Sequence, residues 1–440
     1  MQQLFGGVLE RFRGGSAGRG AAAGDGAGPG ALTALDVGTE FAKALVVALE
    51  DDGEVLTGVV RGSGRRRQGL AHMQSGTVSD IEAVVANCRQ ALDEAEAMAG
   101  LRPGSAVIGI AGELVKGTTV LQTIRREQPQ QPLTEAELER IVQRAQSEAL
   151  DEAERRIAWE SGVERLEVRL VHAAIVEMKI DGYPVSNPIG FTGSQVELAV
   201  FNAFAPMVHL GALQSVANRL GLELLGVIAE PYAVATCLDP GELGDAGAVF
   251  VDIGGGTTDV AVVRHGGISG TKMLALGGRA FTKGLAERFG LSFSRAEALK
   301  LAAGGGANEL PEALAPDDVR AALAEDASVW RRGVELMVSD LAAGELLPAR
   351  IYLCGGGAEL PQVAEALADE AWWRRLPFAR KPLVLALHPD EVAGLRDATG
   401  ALSTRQDVTP MALAHQALVI DSQSTAAERA IRRAVRALQL

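Results

Sequence analysis

The sequence predicts an α/β fold of two similar lobes, with a small α+β unit inserted into the first lobe. One strand–turn–strand pattern occurs twice, at residues 34–47 and 250–263, and both copies place Asp, an aliphatic residue and Gly before an apolar return strand. Amphipathic helical stretches alternate with short apolar runs, as is typical of α/β proteins. A duplication of such long period indicates two lobes of one architecture.

The composition restricts the possible classes of protein. Apolar residues make up 47% of the 440 residues and aromatic residues only 4%, so we expect a core of Ala, Val, Leu and Ile. The formal net charge of -14 argues against nucleic acid as a partner, because binding to a phosphate backbone needs clustered Lys and Arg. The spacing of Cys88, Cys237 and Cys354 indicates neither a disulfide framework nor a zinc site.

The N-terminus carries no signal-peptide pattern, and no apolar run reaches the roughly 18–20 residues of a transmembrane helix. We therefore expect a cytoplasmic protein with at most a peripheral membrane contact. Residues 1–13 place apolar side chains at helical spacing, and residues 14–30 are nearly all Gly, Ala and Ser, which is typical of a flexible linker. This segment is either a docking element that touches a membrane or partner, or a disordered tail.

Five segments are predicted along the chain. They are a flexible N-terminal segment (1–30), a first lobe (31–103 with 201–240), an inserted domain (104–200), a second lobe with a helical subdomain at about 280–348 (241–421), and a tether followed by an amphipathic helix (422–440). The inserted domain is distinguished by strand-like pieces, a polar stretch broken by prolines, and one long helix.

Two helix starts are marked by capping side chains. Asp80 or Ser79 can cap a helix predicted at about 80–99. In the inserted domain, Thr134 can cap the long helix, and Glu137 three residues later completes a capping box.

The two repeated turns carry the hydrogen-bond donors that a triphosphate needs. Gly38 and the run Gly254–Thr257 leave backbone N–H groups open to a close ligand, because no glycine Cβ intervenes. Thr39, Thr257 and Thr258 add hydroxyl donors. One such turn alone is typical of a glycine hairpin, whereas two matching turns indicate phosphate binding.

Acidic residues occupy the same position in both repeats. Asp36 and Asp252 would repel phosphate directly, so we interpret them as outer ligands of Mg²⁺ that act through water. Asp259 either serves the same ion or structures its own hairpin. Neither turn is a GxxxxGK[ST] loop, and no GxGxxG opens a helix. A third cluster, Gly355–Gly357, allows either close approach to a base or ribose, or a tight strand–helix turn.

The order of these elements resembles the actin/Hsp70/sugar-kinase ATPase superfamily, and within it the FtsA family of bacterial division proteins, over about 31–421. The resemblance rests on the place of the inserted segment at about 104–200, the turn Gly277–Thr282, the AExLK-like helix Ser294–Lys300, and a polar tail that ends in an amphipathic helix. It implies an actin-like (ribonuclease H-like) two-lobed ATPase fold with an inserted small α+β SHS2-type domain.

The resemblance also implies ATP and Mg²⁺ as cofactors and a role for each matching residue. Glu297 and Lys300 would approach the ribose, and Gly355–Gly357 would line the adenosine. The full nucleotide-binding set implied is Asp36, Gly38, Thr39, Lys43, Asp252, Gly254, Gly255, Gly256, Thr257, Thr258, Gly278, Glu297, Lys300, Gly355, Gly356 and Gly357.

Two further positions bear on hydrolysis and on the loops. Glu230 lies where active relatives have a residue that orients the attacking water. It either positions that water or is a structural residue before Pro231. We therefore expect ATP binding with at most slow hydrolysis. Arg279 replaces the aspartate that is usual after the second glycine pair in the family, which bears on how this loop meets the nucleotide or a neighbour.

The C-terminal residues 426–440, AAERAIRRAVRALQL, place apolar side chains near one face and arginines around the rest. This is typical of a helix on anionic membrane lipid, although a helix packed on the body of the protein has the same pattern. The resemblance implies self-association and a tubulin-like division protein as partner, bound to the inner face of the membrane at the division site. The alternatives are a PilM-like pilus-assembly scaffold that binds a membrane-protein peptide, and a small-molecule kinase.

Overall fold

The computed structural model describes residues 30–51, 56–162, 166–244, 246–305 and 314–422. The predicted helix at 426–440 and residues 1–29 of the predicted N-terminal segment lie outside these described residues. The described strands form one six-stranded sheet, one nine-stranded sheet and one two-stranded ribbon. No helix in the described ranges is long and apolar enough to cross a membrane.

The first stretch of the chain builds most of the six-stranded sheet. Its elements are β1 (Ala31–Val37), β2 (Phe41–Asp51), β3 (Leu56–Arg67), β4 (Met73–Gln74), β5 (Thr77–Val78), α1 (Ile81–Ala99) and β6 (Ser105–Ile110). The predicted helix start is confirmed, because the Asp80 carboxylate accepts the backbone N–H of Ala83 at 3.0 Å. Helix α1 ends at Gly100, whose φ of 65° is the left-handed conformation that glycine adopts without strain.

After β6 the chain forms β7 (Lys116–Arg125), α2 (Glu135–Ser161), β8 (Val168–Ile180), β9 (Tyr183–Pro184) and β10 (Gln195–Pro206), which together overlap most of the predicted inserted domain at 104–200. Helix α2 packs on one face of the antiparallel strands β7, β10 and β8. Thr134 caps α2 as predicted, but the reciprocal half of the capping box is wrong. The Glu137 carboxylate instead accepts hydrogen bonds from Arg126 Nε and Nη2 at 2.8 and 2.9 Å, since a guanidinium is a stronger partner than a backbone amide.

The rest of the chain completes both sheets. Its elements are α3 (Met207–Leu220), β11 (Glu223–Ala229), α4 (Glu230–Ala235), α5 (Pro240–Leu243), β12 (Ala248–Ile253), β13 (Thr258–Arg264), β14 (Gly267–Leu274), α6 (Gly278–Phe289), α7 (Phe293–Ala303), α8 (Pro316–Ala342), β15 (Arg350–Cys354), α9 (Pro361–Ala368), α10 (Glu370–Trp373), β16 (Leu383–Ala386), β17 (Leu395–Asp397) and α11 (Val408–Ser422).

The sheet topology confirms the internal duplication. The six-stranded sheet has the order β11-β6-β1-β2-β3-β17, and the nine-stranded sheet has the order β16-β15-β12-β13-β14-β7-β10-β8-β9. In both, the strand whose penultimate residue is Asp pairs antiparallel with its hairpin partner and parallel with a later strand. The two hairpins share one register, because Asp36 lies opposite Lys43 and Asp252 lies opposite Asp259.

The C-terminal part of the chain returns to the six-stranded sheet, although the sequence predicts that the second lobe extends to residue 421. Strand β17 pairs in parallel with β3, and buried side chains of α11 such as Leu413 belong to the core of the first lobe. The sequence of α11 is apolar on nearly every face, so its pattern predicts burial but not the lobe that buries it.

The inserted strands also join the second lobe. Strand β7 bridges β14 at the pair Gly270 and Thr118, so β7, β10, β8 and β9 continue the sheet of the second lobe. The chain enters β7 from β6 and leaves β10 into α3, and both β6 and α3 pack in the first lobe. The inserted strands are therefore attached covalently to one lobe and by hydrogen bonds to the other. The exact limits of the inserted domain, 104–200, remain a prediction.

Candidate functional site

A cleft of about 390 Å³ opens where the turns of the two hairpins meet. Two of the predicted site residues, Gly256 and Thr258, do not line it. The predicted residues that do line it are Asp36, Gly38, Thr39, Lys43, Glu230, Asp252, Gly254, Gly255, Thr257, Gly278, Glu297, Lys300, Gly355, Gly356 and Gly357. Residues far apart in the sequence are thus brought together at one place.

Both hairpin turns are closed in the same way. The backbone N–H of Gly38 donates to the carbonyl of Phe41 at 3.1 Å, and that of Gly254 donates to the carbonyl of Thr257 at 2.9 Å. The identical turn follows from the identical register of the two hairpins. Each lobe therefore presents one glycine turn of the same shape to the cleft.

The second hairpin touches the first through its glycines. A Cβ on Gly255 would lie 2.7 Å from the Cβ of Glu40, and a Cβ on Gly256 would lie 2.8 Å from Cγ2 of Thr39. Any larger residue at these positions would push the loops apart. Glycine at 256 is therefore explained by the approach of the two loops, and this residue does not face the cleft.

Thr258 is not a phosphate donor in this structure, which corrects the prediction. Its hydroxyl donates to the Leu276 carbonyl at 2.6 Å and accepts the Trp330 indole N–H at 2.9 Å, and the residue is fully buried. Side chains alternate along a strand, so Thr257 and Asp259 face the cleft while Thr258 faces the core.

Carboxyl groups dominate the floor of the cleft. Burial raises the pKa of Asp259 well above its ordinary value of 3.8, and the charge of Asp252 raises it further. Burial also raises the pKa of Asp252, an effect that the hydrogen bond from the Thr409 hydroxyl at 2.6 Å partly offsets. Lys43 balances Asp36, because its Nζ lies 2.9 Å from Asp36 Oδ2.

The arrangement fits a divalent cation that keeps its water. Within the described ranges, no three His, Cys, Asp or Glu side chains converge closely enough to hold a metal ion directly. Asp259 Oδ1 is buried and has no hydrogen-bond partner there, so it is an acceptor that a hydrated ion can satisfy. Mg²⁺ commonly binds in this way, through waters and phosphate oxygens.

Glu230 is the first residue of α4 and projects into the cleft beside Gly109. A Cβ on Gly109 would lie 2.6 Å from Glu230 Oε1, so glycine there makes room for this carboxyl group. Burial raises the pKa of Glu230 well above 4.5, and the negative charge of Asp36 adds to the effect. The carboxyl group lines the cleft, where a water or ligand can reach it.

Glu297 and Lys300 line the cleft but also hold two helices together. Lys300 Nζ donates to the Gly278 carbonyl at 3.0 Å, the Thr282 hydroxyl at 2.9 Å and Glu297 Oε2 at 2.8 Å. An ammonium group has three N–H donors, so all of those of Lys300 are engaged. These contacts tie α7 to the start of α6.

The third glycine cluster makes a tight turn against the second hairpin. Gly355 has a φ of +80°, and a Cβ on it would lie 2.2 Å from Asp252 Oδ1. A Cβ on Gly357 would lie 2.3 Å from Cγ2 of Ile253. Gly356 has no such neighbour, since the nearest atom to a Cβ there is 3.9 Å away. The turn explains the outer two glycines, and Gly356 leaves open space in the cleft.

Several residues of the cleft were missed by the sequence prediction. Thr404 and Gln406 line it from the segment that leads into α11, Thr409 lines it from the first turn of α11, and no local motif marks them. Glu40 and Arg279 also line it. Arg279 was noticed only as a departure from the family pattern, and its contact with Glu40 has no signal in the sequence.

Comparison with known families agrees with the fold. The family model described as cell division protein FtsA matches residues 249–395, and the MreB/Mbl protein model matches residues 195–295. Cell division protein FtsA of Pseudomonas aeruginosa is 28% identical over 394 residues, which is 83% of this chain and 85% of the relative. FtsA of Streptococcus pneumoniae is 28% identical and covers 79% of this chain and 75% of the relative.

Other matches are shorter or more distant. FtsA of Escherichia coli K12 is 30% identical over 273 residues, which is 61% of this chain and 60% of the relative. The solved PilM-PilN type IV pilus biogenesis complex matches with a TM-score of 0.56 at 19% identity, over 89% of this chain and 98% of that chain. That likeness is evidence for the shared fold. This chain is thus similar in sequence to FtsA proteins over most of its length, and it has the actin-like α/β fold that its sequence predicts.

Proposed function

We propose that this protein binds Mg-ATP in the cleft, self-associates, and tethers a tubulin-like division filament to the inner face of the cytoplasmic membrane. The observation that carries the nucleotide site is the matched pair of hairpins. Each lobe presents one glycine turn and one Asp at the same register to the same cleft. The cell-division role is supported by the similarity to FtsA proteins.

Backbone amides of the Gly38 and Gly254 turns would hold the phosphates, and Asp36 and Asp252 would hold the waters of Mg²⁺. The ion would supply positive charge against the phosphate oxygens. Glu230 would orient the attacking water from its place in the cleft. It is the one residue to which we assign a role in hydrolysis, so we expect hydrolysis to be slow at most.

Binding of Mg-ATP to purified protein, measured by calorimetry, tests the site. Asp36→Ala combined with Asp252→Ala removes both proposed outer ligands, and we expect Mg²⁺-dependent binding to fall by at least tenfold. Asp340→Ala is the matched control, because Asp340 pairs with Lys272 on the surface away from the cleft. Undiminished binding in the double variant contradicts the proposed site.

The membrane role rests on the sequence of 426–440. We expect the full chain to sediment with vesicles that contain anionic lipid and not with neutral vesicles. Deletion of 424–440 leaves all described elements in place and should release the protein. Equal sedimentation of the truncated protein would rule out the lipid anchor.

The partner is tested by a pull-down with the full chain. We expect retention of the tubulin-like division protein. Retention of a pilus membrane-protein peptide instead would favour the alternative, a PilM-like scaffold, which the shared fold leaves open.

A further inference from the structure

Arg279 connects the two hairpin turns that face the cleft. Its backbone N–H donates to the Gly255 carbonyl at 2.8 Å, which attaches it to the second hairpin. Its side chain crosses to the first hairpin, where Nε donates to Glu40 Oε2 at 2.8 Å and Nη2 donates to the Thr39 carbonyl at 2.8 Å. One residue therefore bonds to both turns that would surround the phosphates.

Arg279 is the cleft cation with the most donors to spare. Among the described residues that line the cleft, the cationic side chains are Lys43, Arg279 and Lys300. Lys300 has all three donors engaged, and Lys43 uses two of three, on Asp36 and on the Gln406 carbonyl. A guanidinium has five N–H donors, and two of those of Arg279 make short bonds while a third reaches the Leu70 carbonyl only at 3.5 Å.

Glu40 does not depend on Arg279 for its neutralisation. Arg67, which does not line the cleft, donates from Nε to Glu40 Oε1 at 2.7 Å. If Arg279 turned away, Glu40 would keep this partner and no unpaired carboxylate would be left in a partly buried place. Moving the Arg279 side chain from Glu40 to a more highly charged anion therefore costs little free energy.

We propose that Arg279 binds the terminal phosphate of a nucleoside triphosphate, giving up Glu40 and Thr39 to do so, and that it thereby distinguishes the triphosphate from the diphosphate. This inference rests on the proposed nucleotide site. A guanidinium forms parallel hydrogen bonds with two phosphate oxygens, which are stronger than its bond to one carboxylate oxygen. The carboxyl groups that line the cleft repel a polyphosphate, so a cationic side chain beside it favours binding.

The test compares equilibrium affinities of the full chain for a non-hydrolysable ATP analogue and for ADP, both with Mg²⁺. For Arg279→Ala we expect about a tenfold or larger loss of affinity for the triphosphate and about twofold or less for ADP. Arg66→Ala is the matched control, because it removes a neighbouring arginine that pairs with Glu94 outside the cleft, and it should leave the ratio of the two affinities unchanged. Arg279→Lys should fall between wild type and Arg279→Ala.

The outcomes separate this inference from the function on which it rests. If wild type binds neither nucleotide, both are wrong. If wild type binds both and Arg279→Ala leaves their ratio unchanged, only the role of Arg279 is wrong. Should Arg279→Ala fail to fold, Glu40→Gln decides the matter. A neutral amide competes less for Arg279, so the triphosphate should gain affinity relative to ADP, and a decrease or an unchanged ratio would contradict the proposal.

Discussion

Asp259 is a buried carboxyl group, and one of its oxygens, Oδ1, has no hydrogen-bond partner among the described residues. Its pKa therefore affects the stability of the protein. The pKa is raised well above 3.8 by burial and by Asp252. Between pH 3.8 and the raised pKa, the folded protein therefore binds more protons than the unfolded chain. The free energy of unfolding consequently falls as pH rises through this window.

Asp259→Asn removes this penalty. Without nucleotide and Mg²⁺, we expect it to raise the free energy of unfolding by roughly 1–3 kcal/mol at about pH 8 and to have little effect at about pH 4. Urea denaturation at the two pH values measures the difference. Asp340→Asn, which changes an exposed surface carboxylate, is the control and should show no such pH dependence. An equal gain at both pH values would argue against a raised pKa at Asp259.

Single residues of the cleft were predictable where a local pattern specifies them. Asp36 and Asp252 follow from the repeated turn, because the hairpin register alone determines where each side chain lies. Thr258 was assigned wrongly, since strand alternation after the turn was not taken into account. Thr409 could not be found, because its bond to Asp252 joins residues that are distant in sequence and share no motif.

At the scale of elements, Arg126 holds the end of β7 to the start of α2. Its side chain is only 1% exposed and donates to the Glu137 carboxylate and to the carbonyls of Gly193 and Gln131. Removing the Arg126 side chain leaves the Glu137 carboxylate and these two carbonyl groups without their hydrogen-bond donor. The pair is a specific anchor of the inserted domain, whereas an exposed ion pair contributes little.

We expect Arg126→Ala to lower the free energy of unfolding of the inserted domain by roughly 3 kcal/mol. Arg144→Ala on α2 is the matched control, because it removes only the exposed pair with Glu148. This variant should change the free energy of unfolding by about 0.5 kcal/mol or less. Chemical denaturation of both variants checks the difference. Similar small losses would mean that Arg126 is not an anchor.

Helix starts with a capping side chain were predictable, as Asp80 and Thr134 demonstrate, because the cap and the helix are adjacent in sequence. The lobe to which α11 belongs was not predictable from the sequence. That assignment depends on tertiary packing of its apolar surface against β1, β2 and β6, which periodicity does not encode.

At the scale of the whole molecule, the inserted strands connect the two lobes. The Thr119 hydroxyl donates to the Ile268 carbonyl across the β7–β14 seam, and Gly117 lies so close to Thr271 that a Cβ there would be 2.2 Å from Oγ1. Because both ends of the inserted strands continue into the first lobe, relative movement of the lobes must act on this seam. One residue pair, Gly270 with Thr118, joins the two strands at this seam, which is fewer than in the other strand pairings described for the nine-stranded sheet.

We therefore expect Mg-ATP to change amide hydrogen exchange at 116–119 and 268–271, in addition to the two hairpin turns. Buried amides in the middle of α2 are the internal control and should not respond, because they lie within one rigid helix–sheet unit. If the lobes close around nucleotide, β7 and β14 are displaced relative to each other. The hydrogen bonds between these two strands should then lengthen or shorten before those of the neighbouring strands. Protection that changes only at the hairpin turns would mean that nucleotide binding does not move the lobes against each other.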